Sequence, residues 1–567
     1  MARVLADIAD LLEIKGANAF KIRAYRSAAD TVATWPDALS RLDERQLREL
    51  PGIGKDLAAR IHDLTTSGTT PYYEELRAEL PPTILELLRL QGVGPRTVAL
   101  LHSALGIGSL DDLAAAARAG RLRTLKGMGA KKEAQILEAI AARTRETGRH
   151  LLTDTAAVAA DLVRYLRRDD PDLELVPVGS LRRGTETCGD LDIVATGADS
   201  AVMDAFVAHP DVERVLGHGD TKASVRLRGG YQVDLRRVPP ESRGAALQYF
   251  TGSKAHNIAL RDRAVQHGFR LNEYGLFRDD GTVVAGETEE GIYEALGLPW
   301  IAPELRENRG EIEAALDGIL PRLVTVDELR GDLHMHTTET DGKDDVEAMA
   351  EAARRLGHQY VAITDHSKAL AMANGLDEHR ALAHAARVRA LDRRLEPLTL
   401  LAGIECDILS DGRLDLSEDC LAQLDIVVAS VHSHFSQDEP RMTDRILRAL
   451  ECPFVDVLGH PTGRLLLRRD PVRFDLSAVI DAAARLGVAL EINCQANRLD
   501  LGDTRARLAR ERGVPLVVST DAHSTAGLDA LRWGVQVARR AWAGPGDILN
   551  TSTLEELRPR LRRHRAR

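Results

Sequence analysis

The chain has 567 residues, a formal net charge of −11, and a composition that is 44% hydrophobic but only 4% aromatic. That length predicts about three or four domains, and the apolar fraction excludes a disordered chain; the acidic balance argues against a nucleic-acid binder only weakly, because local basic patches do such binding. Five cysteines without a C-x-x-C pair favour a reduced interior over a disulfide scaffold, and the lack of an apolar leader or membrane-length run predicts a cytoplasmic protein with no membrane partner.

Residues 1 to about 145 read as almost all helix, with apolar residues at three- and four-residue spacings, as in Val4, Leu5, Ile8, Leu11 and Leu12. Three related elements recur there: Leu50-Pro51-Gly52-Ile53-Gly54-Lys55, Leu90-Gln91-Gly92-Val93-Gly94-Pro95-Arg96 and Leu125-Lys126-Gly127-Met128-Gly129-Ala130-Lys131. Each sets an apolar residue between two glycines and follows it with an amphipathic helix. Such a turn lets backbone N–H groups approach a phosphate with no side chain in the way. One would be an ordinary interhelical connection. Three with one pattern resemble helix-hairpin-helix elements, which position DNA by its backbone without reading sequence, and the basic stretch from Arg121 to Arg149 fits the third.

From about 150 the pattern becomes mixed helix and strand. Leu173 to Val178 predicts a short strand running into Gly179-Ser180-Leu181-Arg182-Arg183-Gly184, a tight turn whose backbone, hydroxyl and guanidinium groups suit a polyphosphate. Cys188-Gly189-Asp190-Leu191-Asp192-Ile193-Val194 then puts Asp190 and Asp192 on one face of a strand, where two carboxylates repel unless cations lie between them. Lys222 to Leu227 and Gln232 to Arg236 read as a hairpin around Arg228-Gly229-Gly230-Tyr231, and strand pairing brings Asp234 beside the first two carboxylates. Tyr249-Phe250-Thr251-Gly252-Ser253-Lys254 places an aromatic pair before a glycine, suited to packing on a sugar or simply to a core. Asn272 to Phe277 with the Asp280-Gly281 turn predicts a further small sheet, and the unit closes near residue 315.

These motifs, in this order, resemble a family X DNA polymerase, the family of DNA polymerase beta. The resemblance implies that Asp190, Asp192 and Asp234 bind two Mg²⁺ ions and that Asp234 helps activate the primer 3′-OH. It implies that Gly179, Ser180, Arg183 and Gly189 hold the incoming triphosphate, that Tyr249, Phe250 and Gly252 face its sugar and base, and that Asn257 contacts the base edge. Gly52, Gly54, Gly92, Gly94, Gly127, Gly129 and Arg261 are the implied DNA contacts. Two departures stand out. Lys254 replaces an acidic residue near the nucleotide, and Arg60 occupies the position of the lysine that forms a Schiff base with abasic sugar phosphates.

After a Leu/Pro-rich join, several apolar runs end in metal-type ligands, with Ala/Leu/Arg helical segments between them. The pattern is that of a parallel (β/α) barrel with a site at its strand C-termini. The nine candidates are His334, His336, Asp341, His366, Glu405, His432, His460, Asp521 and His523. Nine exceed the needs of one ion, so a cluster of two or three is expected. This half resembles a polymerase and histidinol phosphatase (PHP) domain. The resemblance implies three ion sites: His334, His336, Glu405 and Asp521; Glu405, His432 and His460; and Asp341, His366 and His523. Mixed His/carboxylate ligation accepts Zn²⁺ or Mn²⁺. Arg464, after His460-Pro461-Thr462-Gly463, is read as a phosphate contact or as surface charge.

The expected architecture is multidomain: an all-α helix-hairpin-helix N-terminal region, an α+β nucleotidyltransferase palm and thumb, and a distorted C-terminal (β/α)7 PHP barrel. The divisions expected are a lyase-like helical domain over 1–85, a fingers-like subdomain over 86–148, the palm over 149–240, a nucleotide-selecting thumb-like subdomain over 241–315, a linker over 316–329 and the PHP domain over 330–567. The expected function is short-gap filling in DNA repair on gapped or primer-template DNA with dNTPs, by a monomer. The PHP half is expected to be a 3′→5′ exonuclease that also processes blocked or abasic ends. Competing readings are a DNA-binding scaffold with a structural metal cluster, a PHP half that hydrolyses small phosphate esters, and template-independent nucleotide addition.

Overall fold

A computed structural model describes the chain apart from residues 1, 35–41, 51, 68, 81–83, 89–92, 109–111, 114–115, 118, 126, 130–131, 135, 138–147, 169 and 562–567. It divides into two compact units, 1–147 with 371–374, and 148–370 with 375–567.

The first unit is helical, as its apolar spacing predicts. Leu5, Ile8, Leu11 and Leu12 are buried on one side of the helix Ala2–Ile14. Further helices span Ala19–Thr34, Lys55–Ser67, Pro71–Ala78 and Pro95–Leu105. The three recurrent elements share one construction. Their central residues Ile53, Val93 and Met128 are buried in a common core. The carbonyl of each second glycine accepts the first helical bond: Ala58 N–H to Gly54 at 2.9 Å, Val98 to Gly94 at 3.0 Å and Glu133 to Gly129 at 3.1 Å. Gly92, Lys126 and Lys131 lie outside the described residues.

In the second unit, residues 148–316 build around a five-stranded sheet with the order β2 (Glu174–Pro177), β4 (Leu191–Thr196), β7 (Gln232–Val238), β6 (Lys222–Leu227) and β5 (Val212–His218). Leu191, Ile193, Ala195, Val233 and Leu235 bury one face against the helices Leu152–Leu166 and Ala201–Val207. The alternation of the strand leaves Asp192 and Asp234 on the opposite face. A two-stranded ribbon joins β1 (His150–Leu151) to β3 (Thr187–Cys188). The expected small sheet is the antiparallel set β8 (Arg270–Asn272), β9 (Gly275–Phe277) and β10 (Val283–Ala285). Two local expectations are corrected. The Gly179 turn is a single helical turn, Gly179–Arg182, because Arg183 N–H closes on the Gly179 carbonyl. Asp190 lies just before β4 and is exposed, so it joins its neighbours from a loop rather than from the strand.

The barrel half holds seven parallel strands in sequential order: β11 (Gly331–Met335), β12 (Tyr360–Ile363), β13 (Thr399–Asp407), β14 (Ile426–Ser430), β15 (Val457–Leu458), β16 (Ala489–Asn493) and β17 (Leu516–Ser519). A Met335–Ala522 bridge closes the first strand onto the end of the last, with His336 N–H donating to the Ala522 carbonyl at 2.8 Å. The barrel is thereby nearly closed, with its two edge strands joined at their C-terminal ends. Leu333, Ala362, Leu401, Val428, Val457 and Val517 form one core, while the alternate strand residues pack on the surrounding helices. Val324 and Leu329, from the join, belong to that outer core.

The palm-like and thumb-like parts meet at Glu289. Its carboxylate accepts from Arg182 at 2.9 and 2.7 Å and from the wholly buried Arg306 at 2.6 Å. Burial alone would raise the Glu289 pKa; the Arg306 and Arg182 guanidiniums overcome it and hold the group down at about 2. A depressed carboxyl contributes stability that is complete above its unfolded value near 4.5 and is lost as pH falls towards about 2. Glu289→Gln is therefore expected to cost about 3–5 kcal/mol at neutral pH, because Arg306 stays buried without its counter-ion. Thermal melts across pH should also show a shallower acid limb between about 4.5 and 2 than the parent protein has.

Two candidate active sites

The first site rests on strand register. β4 and β7 run parallel with Asp192 directly opposite Asp234, and Asp190 precedes β4. Burial pushes the Asp192 pKa up to about 6, and the charges of Asp190 and Asp234 add to the rise. Lys222, on β6, reaches Asp234 Oδ2 at 2.9 Å, while Asp234 Oδ1 is buried without a hydrogen-bond partner among the described residues. Three converging carboxylates, one strained towards its protonated form and one with an orphaned oxygen, fit divalent cations. A Cβ at Gly179, whose φ is +66°, would come 3.3 Å from Asp192 Oδ2, so a side chain there would crowd the carboxylate.

The residues predicted around an incoming nucleotide gather beside these carboxylates in part. Ser180 is half-buried in the Gly179–Arg182 turn, and Gly189 adjoins Asp190. Arg182 is corrected to a structural role, since Glu289 and Thr251 Oγ1 occupy its guanidinium. Arg183 is held by Glu307 at 3.0 Å and the Thr251 carbonyl at 2.5 Å. A Cβ at Gly252 would sit 3.3 Å from that guanidinium. Tyr249 and Phe250 end the helix Arg243–Thr251 with rings edge to face, centroids 5.1 Å apart, and Arg236 lies over Phe250. Asn257 donates to the Tyr249 carbonyl at 2.7 Å and accepts from Gln248 at 2.8 Å, so its amide supports that turn rather than facing open space. Lys254, Ile258 and Arg261 are exposed at helical spacing on Lys254–Gln266.

The second site stands at the C-terminal ends of the barrel strands. His334, His336 and Asp521 offer atoms within one ion's reach, as do His366, Glu405 and His432, and again His336, Asp341, His366 and His523. Glu405 is the common carboxylate. Its Oε2 lies 3.5 Å from His334 Nε2, 3.6 Å from His336 Nε2 and 2.8 Å from His366 Nδ1; its Oε1 lies 3.3 Å from His432 Nε2 and 3.0 Å from His460 Nε2. All nine predicted ligands therefore converge, although His336 and His366 each face two groups rather than one. His334 Nε2, both His336 ring nitrogens and Glu405 Oε2 are buried without hydrogen-bond partners among the described residues. Buried polar atoms left unpaired are costly, and cations would be held by their lone pairs.

Electrostatics differ across the cluster. Burial and the neighbouring His366 and His523 hold His336 down at about 4. Burial opposes the charge on His432 too, but Glu405 and Asp407 lift it to about 10. Sequence reading missed the groups behind the ligands. Glu491 on β16 accepts from or donates to His334 Nδ1 at 2.7 Å according to protonation, and accepts the His460 N–H at 2.6 Å. Asn493 donates to Asp521 Oδ2 at 3.0 Å, Asp407 pairs with His432 Nδ1, and Asp365 joins His384 at 2.9 Å. Such partners fix ring orientation and tautomer. Glu491 and Asn493 stand two apart on β16, so strand parity, the one available signal, puts them on the same face. Arg464 is corrected to a buried structural residue, bonded to Glu186 at 2.6 Å and to the Arg498 and Leu499 carbonyls.

In the first unit, Gly54, Gly94, Gly127 and Gly129 have open space where a Cβ would project, and Gly52 meets only Ser27. Exposed Arg261 lies on the second unit's thumb-like helix.

Comparison with known proteins agrees in order and extent. Family models match for a helix-hairpin-helix domain over 1–70, a SAM-like helix-hairpin-helix tandem over 84–142, the DNA polymerase beta palm over 152–219, the DNA polymerase beta thumb over 246–307 and a PHP domain over 332–495. "DNA polymerase/3'-5' exonuclease PolX" of Bacillus subtilis (strain 168) is 38% identical over 566 residues, covering 99% of both chains. A "Probable phosphatase" of Thermoanaerobacter sp. (strain X514) is 29% identical over 231 residues, 39% of this chain and 89% of its own. Among the described residues no helix is long and apolar enough to cross a membrane. With one relative matched from end to end, and palm, thumb and PHP models in the sequence of that architecture, the chain belongs to the family X DNA polymerases that carry a C-terminal PHP domain.

Proposed function

We propose that the chain is a DNA-directed DNA polymerase that fills short gaps in repair and trims 3′ ends with its barrel. The observation that carries this reading is two separate sets of acidic and imidazole groups: at the barrel mouth, ligand atoms within one ion's reach of one another, and on the sheet face, Asp192 opposite Asp234, whose Oδ1 is buried and unpaired among the described residues. In the polymerase site Asp190, Asp192 and Asp234 would hold two Mg²⁺, and in the barrel the nine ligands would hold two or three Zn²⁺ or Mn²⁺. Bound there, such ions supply Lewis acidity and neutralise charge on phosphoryl oxygens. Asp234 would take the proton of a primer 3′-OH. Ser180 and Arg183 orient the triphosphate, and Tyr249, Phe250 and Gly252 support its sugar. The glycine turns hold gapped or primer-template DNA by its phosphates. The sequence-based divisions at 85, 148, 240, 315 and 330 serve as working domain boundaries.

The PHP half's likeness to a probable phosphatase favours a second reading, hydrolysis of small phosphate esters. An end-labelled gapped duplex incubated with Mg²⁺ or Mn²⁺, with and without dNTPs, distinguishes the two, because only an exonuclease shortens the labelled strand. Omitting the template tests template-independent addition on the same gel.

Three outcomes are expected. Asp192→Ala should slow extension at least about 100-fold, roughly 2.7 kcal/mol of lost transition-state stabilisation, and leave 3′ shortening intact; His336→Ala should do the reverse. Loss of both activities from a folded Asp192→Ala protein would contradict two independent sites. DNA affinity should fall steeply with salt and vary by less than about 1–2 kcal/mol among gapped duplexes of unrelated sequence, as fluorescence anisotropy can measure.

Schiff-base lyase activity in the N-terminal unit should be weak. Arg60 cannot lose its proton to attack a carbonyl, and its guanidinium is stacked 3.9 Å from the Tyr72 ring centroid. Among the candidate amines, Lys21 shares the Tyr72 ring with Arg60 and bonds its hydroxyl at 2.6 Å, Lys15 pairs with Glu79, and Lys55 begins the helix that carries Arg60. Borohydride trapping on a 5′-deoxyribose-phosphate end should give little adduct, and Lys21→Ala should abolish what remains. Efficient trapping that survives Lys21→Ala would refute this assignment.

A further inference from the structure

The barrel sends one arginine to the Arg183–Glu307 pair of the polymerase-like half. The helix Leu531–Arg540 ends beside the thumb-like subdomain: Arg539 Nε bonds Glu304 at 2.7 Å, and Trp542 packs in the core formed by Leu260, Tyr293, Leu305 and Ile312. A side chain at Gly184 would collide with Gln536 of the same helix. Arg540, 6% exposed, donates to the Arg183 carbonyl at 2.8 Å and to Glu307 Oε1 at 2.9 Å, and its other nitrogen reaches Asp503 at 2.8 Å. Glu307 Oε1 is the same oxygen that receives Arg183 Nε at 3.0 Å. Asp503 is further paired with Arg309 at 3.0 Å.

The charge order is thus Arg183, Glu307, Arg540, Asp503, Arg309: alternating signs with one positive charge in excess. Two guanidiniums divide one Glu307 oxygen. Without Arg540, Glu307 would serve Arg183 alone, the row would become neutral, and Arg183 would be drawn away from an anionic ligand. We propose that Arg540 of the PHP domain is a positioning residue for the polymerase's incoming nucleotide, keeping Arg183 oriented and leaving its charge only partly neutralised by the shared Glu307. This inference rests on the assignment of Arg183 to the triphosphate.

The test is steady-state filling of a one-nucleotide gap by the full chain, with Arg540→Gln, Arg540→Lys, Arg183→Ala and the Arg183→Ala/Arg540→Gln double variant. Arg540→Gln should raise the KM for dNTP about ten-fold with kcat changed less than about two-fold, since ground-state binding is what it supports. Arg540→Lys should recover part of the loss, because it restores the charge without the two-sided fork. The double variant should be no worse than Arg183→Ala, and 3′ shortening by Arg540→Gln should match the parent. If Arg183→Ala raises KM and neither Arg540 variant does, the inference is overturned. If Arg540→Gln lowers Tm and both activities while KM holds, Arg540 is merely structural. If Arg183→Ala itself leaves KM unchanged, the triphosphate assignment fails, and the inference fails with it.

Discussion

Like charges held together against their repulsion set the terms for both halves of the second unit. Asp192 shows the cost directly: buried beside Asp190 and Asp234, its pKa is pushed up to about 6. Nothing local to a flexible segment would keep these groups together. The parallel register of β4 and β7 does so, because six consecutive residue pairs fix Asp192 opposite Asp234, and the buried faces of Ile193 and Leu235 prevent a one-residue slip. The barrel meets the same problem differently. Its ligands come from six separate strand ends, so no single register holds them; closure of β11 onto the end of β17 does. That closure brings His336 and His523 into stacked contact, with centroids 4.2 Å apart; burial, His366 and His523 hold His336 down at about 4, while Asp341 and Asp521 overcome burial at His523 and lift it to about 9.

How much of this was legible in the sequence follows from which interactions are local. The hairpin signal at Arg228-Gly229-Gly230-Tyr231 pairs β6 with β7 and sets Asp234 opposite Ser224, and strand parity gives its face, but only the non-local parallel register of β4 and β7 sets it opposite Asp192. Apolar runs ending in His or carboxylate likewise reveal a barrel and its ligands, since a buried parallel strand shows its polar end plainly. Arginine roles were not legible. Arg182, Arg183 and Arg464 stand in motifs that suit phosphate, yet Glu289, Glu307 and Glu186 claim part or all of their guanidiniums. Those carboxylates lie 107, 124 and 278 positions away along the chain. No periodicity encodes such a pairing. The partners behind the metal ligands were not legible either: Glu491 and Asn493 share a face of β16, but only the fold shows Glu491 against His334.

The same long-range carboxylates give the molecule its division of labour. Glu289 ties the Gly179–Arg182 turn to the thumb-like part through Arg182 and Arg306. Glu186, just before β3, ties the palm-like part to the barrel through Arg464. Neither contact reaches a reacting group, so each can be rigid without cost to chemistry. Glu307 differs, because its guanidinium partners come from both halves and one of them lies beside Gly252. A carboxylate shared in this way transmits a change at either guanidinium to the other within a single side chain, with no need for backbone motion. The barrel is then more than a second enzyme appended to the first. Its helix end brings a positive charge to Glu307, so the two halves share one electrostatic boundary there.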